Sequence, residues 1–172
     1  MLKKNISLNE LDEQAEIYNM GIGSTQSTLR FSSSFGQQNH VIDNTSDLPM
    51  IEVASNTLDS FLENKAATCI KIDVEGFETE VINGASKALE SKHLKVIIIE
   101  LMGLGKRYGF DEKIIHDHLK KLGFSIFDYE PKSRQLKAQG TYQSKNIYIK
   151  DINFVKERIR TAKTFSVFNQ EI

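Results

Sequence analysis

The stretch Ile70-Lys71-Ile72-Asp73-Val74-Glu75-Gly76 closes an apolar run, residues 68–74, with two carboxylates and a glycine. A second apolar run covers residues 96–101, and the intervening residues 77–91 follow a helical pattern that breaks at Asn83-Gly84. Nearly continuous apolar runs are typical of strands buried on both faces in a parallel sheet. The order strand, helix, strand therefore predicts a βαβ unit and an α/β fold.

The sequence after this unit predicts a helix and then an antiparallel strand pair. The helix is expected over residues 111–122, begins after the N-cap Asp111, and has one apolar face, formed by Ile114, Ile115, His118, Leu119 and Leu122. Residues 124–129 and 146–149 are expected to be strands. Because the sequence between them, including a polar turn at 131–140, contains no helix, the two strands should pair antiparallel. A last helix is expected over residues 154–162.

The sequence before the unit predicts short elements around a polar loop. A helix is expected over residues 2–11, and strands are expected over 15–19, 28–31 and 51–54. A further helix over residues 58–62 would begin after Thr57 as its N-cap. Residues 32–47 are rich in Ser, Gln and Asn, which is typical of a surface loop. All 172 residues are expected to form a single domain.

Charge and hydropathy argue against several classes of function. The net charge is −1, so no bulk electrostatic attraction to nucleic acid or to an anionic membrane is expected. No window approaches the roughly 18 apolar residues of a membrane span, and no apolar run follows the first lysines. A cytoplasmic location is therefore the default expectation. The single cysteine, Cys69, lies in an apolar run and is interpreted as a small core residue.

The first candidate site is the end of the run at Asp73 and Glu75. In open α/β sheets, ligands bind beyond the carboxyl ends of the strands, and Glu100 ends the neighbouring run at the same edge. Carboxylates there could accept a proton, bind a hydroxyl group or ligate a cation. The alternative is structural: Glu75 and Glu78 would simply lie favourably near the start of the next helix.

The second candidate site is the polar loop, in which Gln37, Gln38 and His40 could contact a substrate. His40 could act as a general base near neutral pH, whereas the alternative is an ordinary solvated loop. Gly21 and Gly23 lack the third glycine of a dinucleotide fingerprint. The loop 103–107 lacks the spacing of a phosphate loop, although a module that binds a nucleotide or sugar phosphate there remains an alternative.

Four blocks in this sequence resemble, in their order and spacing, the FkbM family of methyltransferases. The blocks are Thr57-Leu58-Asp59-Ser60-Phe61-Leu62, Ile70 to Glu78 as IKIDVEGFE, Val81-Ile82-Asn83-Gly84-Ala85 and Ile97-Ile98-Ile99-Glu100. The resemblance implies a Rossmann-like class I methyltransferase fold with the sheet order 3-2-1-4-5-7-6. It implies S-adenosylmethionine as the cofactor. It also implies a hydroxyl group of a sugar or natural product as the methyl acceptor.

The resemblance also implies roles for individual residues. Asp73 and Glu75 would lie at the methyl-transfer end of strand four, and one of them, with His40, is hypothesised to take the proton of the acceptor hydroxyl. Gln37, Gln38 and Glu100 are the candidate substrate-binding residues. Asn19, Met20 and Gly21 follow strand three, where relatives approach the adenine. Asp59 is interpreted as structural, and no metal ligand set is expected.

One departure from the family pattern limits what this chain is expected to do alone. The sequence contains neither the glycine-rich turn after strand one nor the acidic residue that ends strand two. We therefore expect a fold truncated by strands one and two, a strand three without a neighbour, and an unpaired edge at strand four that is open to self-association. Binding of S-adenosylmethionine by this chain should be weak or absent. The alternative function is a non-enzymatic fragment, degenerate or truncated, that binds no cofactor of its own and at most pairs with a partner through that edge.

Overall fold

The computed structural model describes residues 2–42, 46–164, 166–167 and 170–171. It is a mixed α/β structure. The α-helices are α1 (Leu2–Leu8), α2 (Leu58–Leu62), α3 (Glu78–Asn83), α4 (Ser86–Glu90), α5 (Glu112–Lys121) and α6 (Ile152–Thr161). The strands are β1 (Gly21–Ile22), β2 (Ser27–Ser32), β3 (Val41–Ile42), β4 (Met50–Asn56), β5 (Cys69–Ile72), β6 (Val96–Glu100), β7 (Ser125–Glu130), β8 (Gln135–Ala138), β9 (Lys145–Ile149), β10 (Ser166–Val167) and β11 (Gln170–Glu171).

The larger sheet has five strands in the order β5-β6-β9-β7-β8. β5 and β6 are parallel, with Cys69 opposite Val96 and Ile72 opposite Ile99, and α3 and α4 connect them. The predicted βαβ unit is therefore confirmed. β9 runs antiparallel to both β6 and β7, which confirms the predicted antiparallel pair. β8 was not predicted, because the polar sequence 131–140 gives no apolar alternation, yet its backbone pairs with β7.

A smaller four-stranded sheet has the order β1-β4-β2-β3. β2 and β4 form an antiparallel pair from Ser27 opposite Ser55 to Ser32 opposite Met50. No strand forms over residues 15–19; the strand lies instead at Gly21–Ile22 and pairs parallel with β4. The expectation of a strand three without a neighbour is therefore wrong, because β4 supplies the missing partner.

The hydrophobic core lies on one face of the five-stranded sheet. Ile97 and Ile99 of β6 and Tyr148 of β9 point into it and are fully buried. They pack against apolar side chains from α3, α4 and α5, such as Val81, Leu89, Ile115 and Leu119. Alternate residues of a strand point to opposite faces, so the intervening positions face the other side of the sheet.

The burial of β5 differs from its prediction. The expectation of burial on both faces is wrong, because Cys69 is exposed rather than a core residue. The expectation of an edge at this strand is confirmed among the described residues, because β5 is the edge strand of its sheet. The Cys69 side chain lines a groove that residues of α6 also line, and partial burial raises the pKa of its thiol. An apolar run in the sequence therefore did not distinguish a central strand from an edge strand.

The buried face of α5 also differs from the predicted one. Ile115, His116 and Leu119 are buried, whereas Ile114 is 64% exposed and His118 points to solvent. The buried positions follow the spacing i, i+3, i+4, i+7 from Glu112, as expected for one helical face. Within the described residues, no helix combines the length and the apolar character that crossing a membrane requires.

Candidate active site

The turn after β5, residues 73–76, has a strained backbone. Glu75 has φ = 52° and Gly76 has φ = 101°, so two consecutive residues lie in the region of positive φ. A Cβ atom at Gly76 would lie 2.7 Å from the carbonyl oxygen of Leu104. Only glycine fits there, which lets the turn after β5 pack directly against the turn after β6. Strained backbone of this kind is typical of functional sites.

The buried carboxylate of Glu78 holds this turn. The side chain is 3% exposed, and its Oε1 accepts hydrogen bonds from the backbone amides of Gly76 at 3.1 Å and Val74 at 3.4 Å. Burial raises the pKa of Glu78, while the backbone hydrogen bonds act in the opposite direction. The sequence interpretation gave Glu78 only a place near the helix start. The sequence signal for its role was that Glu78 lies in the first turn of a helix, two residues after Gly76.

A second buried glutamate holds the turn after β6. Glu112, 8% exposed, accepts hydrogen bonds from the amides of Gly103 at 2.9 Å and Gly105 at 3.4 Å. The amides of Gly103 and Gly105 are therefore not free to bind a phosphate, and the carboxylate of Glu112 would repel a phosphate. This geometry disfavours the alternative of a phosphate site in the loop 103–107.

A cleft of about 520 Å³ lies between the smaller sheet and the turn after β5. Its size is within the usual range for small-molecule sites. Met20 and Gly21 line it on one side, and Asp73 and Glu75 line it on the other. The remaining lining residues are Ile22, Phe31, Asn39, Val41, Val74 and Phe77. The cleft therefore joins two of the predicted cofactor-binding residues to both predicted catalytic carboxylates.

The carboxylates at this edge have basic neighbours. Asp73 Oδ2 accepts a hydrogen bond of 2.6 Å from Lys71 Nζ, and this bond raises the pKa of Lys71. Glu100 lies beyond the cleft, where it borders a small hollow together with Asp73 and Glu75. Its Oε1 is 3.6 Å from Lys145 Nζ. The three predicted carboxylates therefore gather at one edge, with only Asp73 and Glu75 in the cleft.

Other predicted site residues do not line the cleft. His40 Nδ1 is 3.0 Å from the carbonyl oxygen of Gln38, and its ring lies against Phe35 with 5.8 Å between centroids. Gln38 and Asn19 are exposed and are not among the lining residues. The side chain of Gln37 lies outside the described part of the structure.

Two residues that the sequence interpretation did not single out shape the cleft. Asn39 and Val41, on either side of His40, line it in place of the histidine. Tyr108, in the turn after β6, donates a hydrogen bond of 2.7 Å to the carbonyl oxygen of Val41. Its ring packs edge-on against Phe77, with 5.5 Å between centroids, and burial raises the pKa of its hydroxyl. No periodic sequence signal marks such a contact.

The end of β1 is positioned by α3 and the residues that follow it. A Cβ atom at Gly84 would overlap the carbonyl oxygen of Gly23, so the two backbones are in direct contact. The hydroxyl of Ser24 donates a hydrogen bond to the carboxylate of Glu80. In the same region, both oxygens of Asp59 accept hydrogen bonds of 2.9 Å from the first turn of α4, which fits its predicted structural role.

No group of three or more His, Cys, Asp or Glu side chains in the described ranges is arranged to hold a metal ion. The chemical resources of the cleft are therefore its two carboxylates, its apolar wall and the amide of Asn39. Such a set can accept hydrogen bonds from hydroxyl groups, take up a proton and pack against a flat ring.

Residues 2–126 match the domain model of the methyltransferase FkbM domain. A crystal structure of methyltransferase FkbM from Methylobacillus flagellatus KT is similar with a TM-score of 0.49 and 12% sequence identity. The similarity covers 86% of this chain and 32% of that one, so the chain spans about a third of that relative's length. No curated protein matches the chain. Because the domain model covers well over half of its residues, the chain belongs to the FkbM methyltransferase family.

Proposed function

We propose that this chain provides the acceptor side of an S-adenosylmethionine-dependent methyltransferase that methylates a hydroxyl group of a sugar or natural-product small molecule. The observation that supports this most is the cleft in which Asp73 and Glu75 face Met20 and Gly21. The strand order β5-β6-β9-β7 agrees with strands 4-5-7-6 of the class I order that the family resemblance implies.

The cleft fits the adenosine part of S-adenosylmethionine better than the part that carries the carboxylate. Its apolar side chains, including Met20, Ile22 and Phe31, offer a surface for the flat face of adenine. Asp73 and Glu75 can accept hydrogen bonds from ribose hydroxyls or from the acceptor. None of the described residues that line the cleft is a cation, so these residues offer the cofactor's carboxylate no charged partner. This half-fit supports the expectation of weak binding.

When bound, the cofactor supplies an electrophilic methyl group on a sulfonium. The task of the protein is to hold the acceptor oxygen in line with that methyl and to take up its proton. Asp73 or Glu75 accepts this proton. Lys71 holds Oδ2 of Asp73 and thereby fixes the direction in which the other oxygen points. His40 would have to rotate away from Gln38 to contribute.

Titration of the ¹⁵N-labelled chain with S-adenosylmethionine tests the proposal. We expect a dissociation constant on the order of 1 mM or weaker, with amide shifts concentrated at residues 20–22 and 73–77. Asp73→Asn should reduce these shifts, whereas Asp128→Asn, at an exposed position on β7, should leave them unchanged. No shifts, or shifts only elsewhere, would contradict the proposed site. Micromolar affinity would contradict the expectation of weak binding.

The identity of the acceptor and the role of Asp73 need a turnover measurement. In a full-length family member, transfer of a labelled methyl group to a panel of sugars should exceed transfer to amines. Replacing the aspartate that corresponds to Asp73 by asparagine should lower the rate by about 10²-fold or more. Full turnover of that variant would remove Asp73 from the catalytic role.

A further inference from the structure

A groove larger than the candidate active-site cleft lies on the face of the five-stranded sheet that is opposite the hydrophobic core. Its volume is about 790 Å³, against about 520 Å³ for the cleft. The sheet forms its floor and α6 forms its wall. The principal apolar side chains are Val96, Tyr129, Leu136 and Ile147 from the sheet and Phe154 and Ile159 from the helix.

Among the described side chains that line this groove, three are cations and none is a carboxylate. Arg134 donates hydrogen bonds to the carbonyl oxygens of Ile159, Ala162 and Lys163 at 3.3, 2.9 and 3.0 Å, and so caps the end of α6. The other two cations, Arg158 and Lys163, are exposed and form no ion pair with a described carboxylate. The groove therefore combines an apolar interior with positive charge near the end of α6.

We propose that this groove binds a free fatty carboxylate, which is an amphipathic anion with one alkyl chain. The alkyl chain would lie between the sheet and α6. The carboxylate would lie at Arg158 and Lys163. Burial of alkyl surface supplies the affinity, and the cations select the head group. The apolar lining of the groove matches an alkyl chain, and the positive charge of Arg158 and Lys163 is complementary to a carboxylate. It is independent of the methyl-transfer site, because the cleft and the groove have no lining residue in common.

Cys69 makes the groove directly observable. It is the single cysteine of the chain, and its side chain lines the groove. Its reaction with a thiol reagent such as Ellman's reagent therefore reports on this surface alone. A ligand in the groove should shield the thiol, so the rate of modification measures occupancy. Circular dichroism of each variant checks that the fold is retained.

The experiment titrates the chain with dodecanoate below its critical micelle concentration. We expect modification of Cys69 to slow at least about fivefold at saturation, and affinity to rise about two- to fourfold per added methylene. Dodecyltrimethylammonium, which has the same chain and the opposite charge, should protect at least about tenfold less effectively. The double variant Arg158→Glu, Lys163→Glu should reverse that preference. Lys156→Glu, exposed on α6 but outside the groove, should not change it.

Several results would overturn the proposal. Failure of dodecanoate to protect Cys69, equal protection by the two head groups, or no effect of the double charge reversal would each do so. Protection that rises with protein concentration alone would mean that a second copy of the chain covers the groove. Protection by vesicles of anionic phospholipid but not by dodecanoate would mean that the surface binds a membrane instead.

Discussion

The hydroxyl of Tyr108 donates a hydrogen bond of 2.7 Å to the carbonyl oxygen of Val41, and this bond joins the two sheets beside the cleft. Tyr108 lies after β6 of the larger sheet, whereas Val41 belongs to β3 of the smaller one. Tyr108→Phe keeps the ring against Phe77 but removes the bond. We expect a loss of about 1 kcal/mol in the free energy of unfolding, measured by chemical denaturation.

Tyr129→Phe is the matched control for that variant. Tyr129 is half-buried in β7, and its hydroxyl forms no hydrogen bond within the described residues. Removal of the Tyr129 hydroxyl should change the free energy of unfolding by less than about 0.5 kcal/mol. If the two variants unfold at the same denaturant concentration, the Tyr108 bond does not contribute to the joining of the sheets.

Gly84→Ala should destabilise the chain although its backbone conformation suits alanine, with φ = −85°. The added methyl group would overlap the carbonyl oxygen of Gly23, and the end of β1 would have to move. We expect a cost of about 1–3 kcal/mol, seen as a lower midpoint of thermal unfolding. A Cβ atom at Gly140 meets no atom within 4 Å, so Gly140→Ala should be close to neutral. Equal midpoints for the two variants would contradict the close contact.

Glu78 should respond differently to two substitutions. Glu78→Ala leaves the amides of Gly76 and Val74 without their acceptor, at a cost of about 1–3 kcal/mol. Glu78→Gln keeps an acceptor and removes the buried charge. Because the folded pKa of Glu78 is raised above 4.5, its contribution to stability is full below that pH and is lost as pH rises through the folded value. The glutamine variant should therefore equal or exceed the wild type at neutral pH.

Denaturation of both variants at about pH 4 and pH 8 measures this difference. The glutamine variant should gain stability relative to the wild type as pH rises between these points. A constant difference at the two pH values would show that the Glu78 charge is not buried at the turn.

The lowered pKa of His116 predicts that stability depends on pH with a sign opposite to that for Glu78. Its Nδ1 lies 2.8 Å from the buried hydroxyl of Tyr148, and its pKa is lowered below 6.5 mainly by burial and also by Lys120. The neutral imidazole is therefore the form that the fold stabilises. Stability is full above pH 6.5 and is lost as pH falls toward the folded pKa.

The midpoint of thermal unfolding should accordingly decrease between about pH 7.5 and pH 5.5, and this decrease should be smaller in His116→Gln. His118→Gln, at an exposed position on the same helix, should behave as the wild type. Because the raised pKa of Glu78 acts on stability in the opposite direction, the comparison of the two histidine variants, rather than the wild-type curve alone, decides the outcome.

Features with a local cause were predictable from the sequence. Thr57 accepts a hydrogen bond from the amide of Ser60 at 3.0 Å, and Asp111 accepts one from Lys113 at 2.9 Å, as expected for N-caps. The βαβ unit also follows from a pattern of consecutive residues. The gathering of Asp73 and Glu75 at a sheet edge needs only the rule that parallel strands end together.

Features that depend on distant partners were not predictable. Whether His40 or its neighbours Asn39 and Val41 would face the cleft depends on how β3 pairs with β2, which no local pattern specifies. The exposure of Cys69 depends on which elements cover the second face of the sheet. The contact between Tyr108 and Val41 joins residues far apart in sequence, and such contacts follow from the tertiary arrangement.

The backbone contact between Gly23 and Gly84 has a consequence for the order of folding. Its formation closes a loop on the order of 60 residues, and the entropy lost on closure must be offset by surfaces that already exist. α3 can form early because it lies within the βαβ unit, whose contacts are closer in sequence. β1 should therefore dock late, so the cleft would be the last region of the molecule to acquire its shape and the first to lose it.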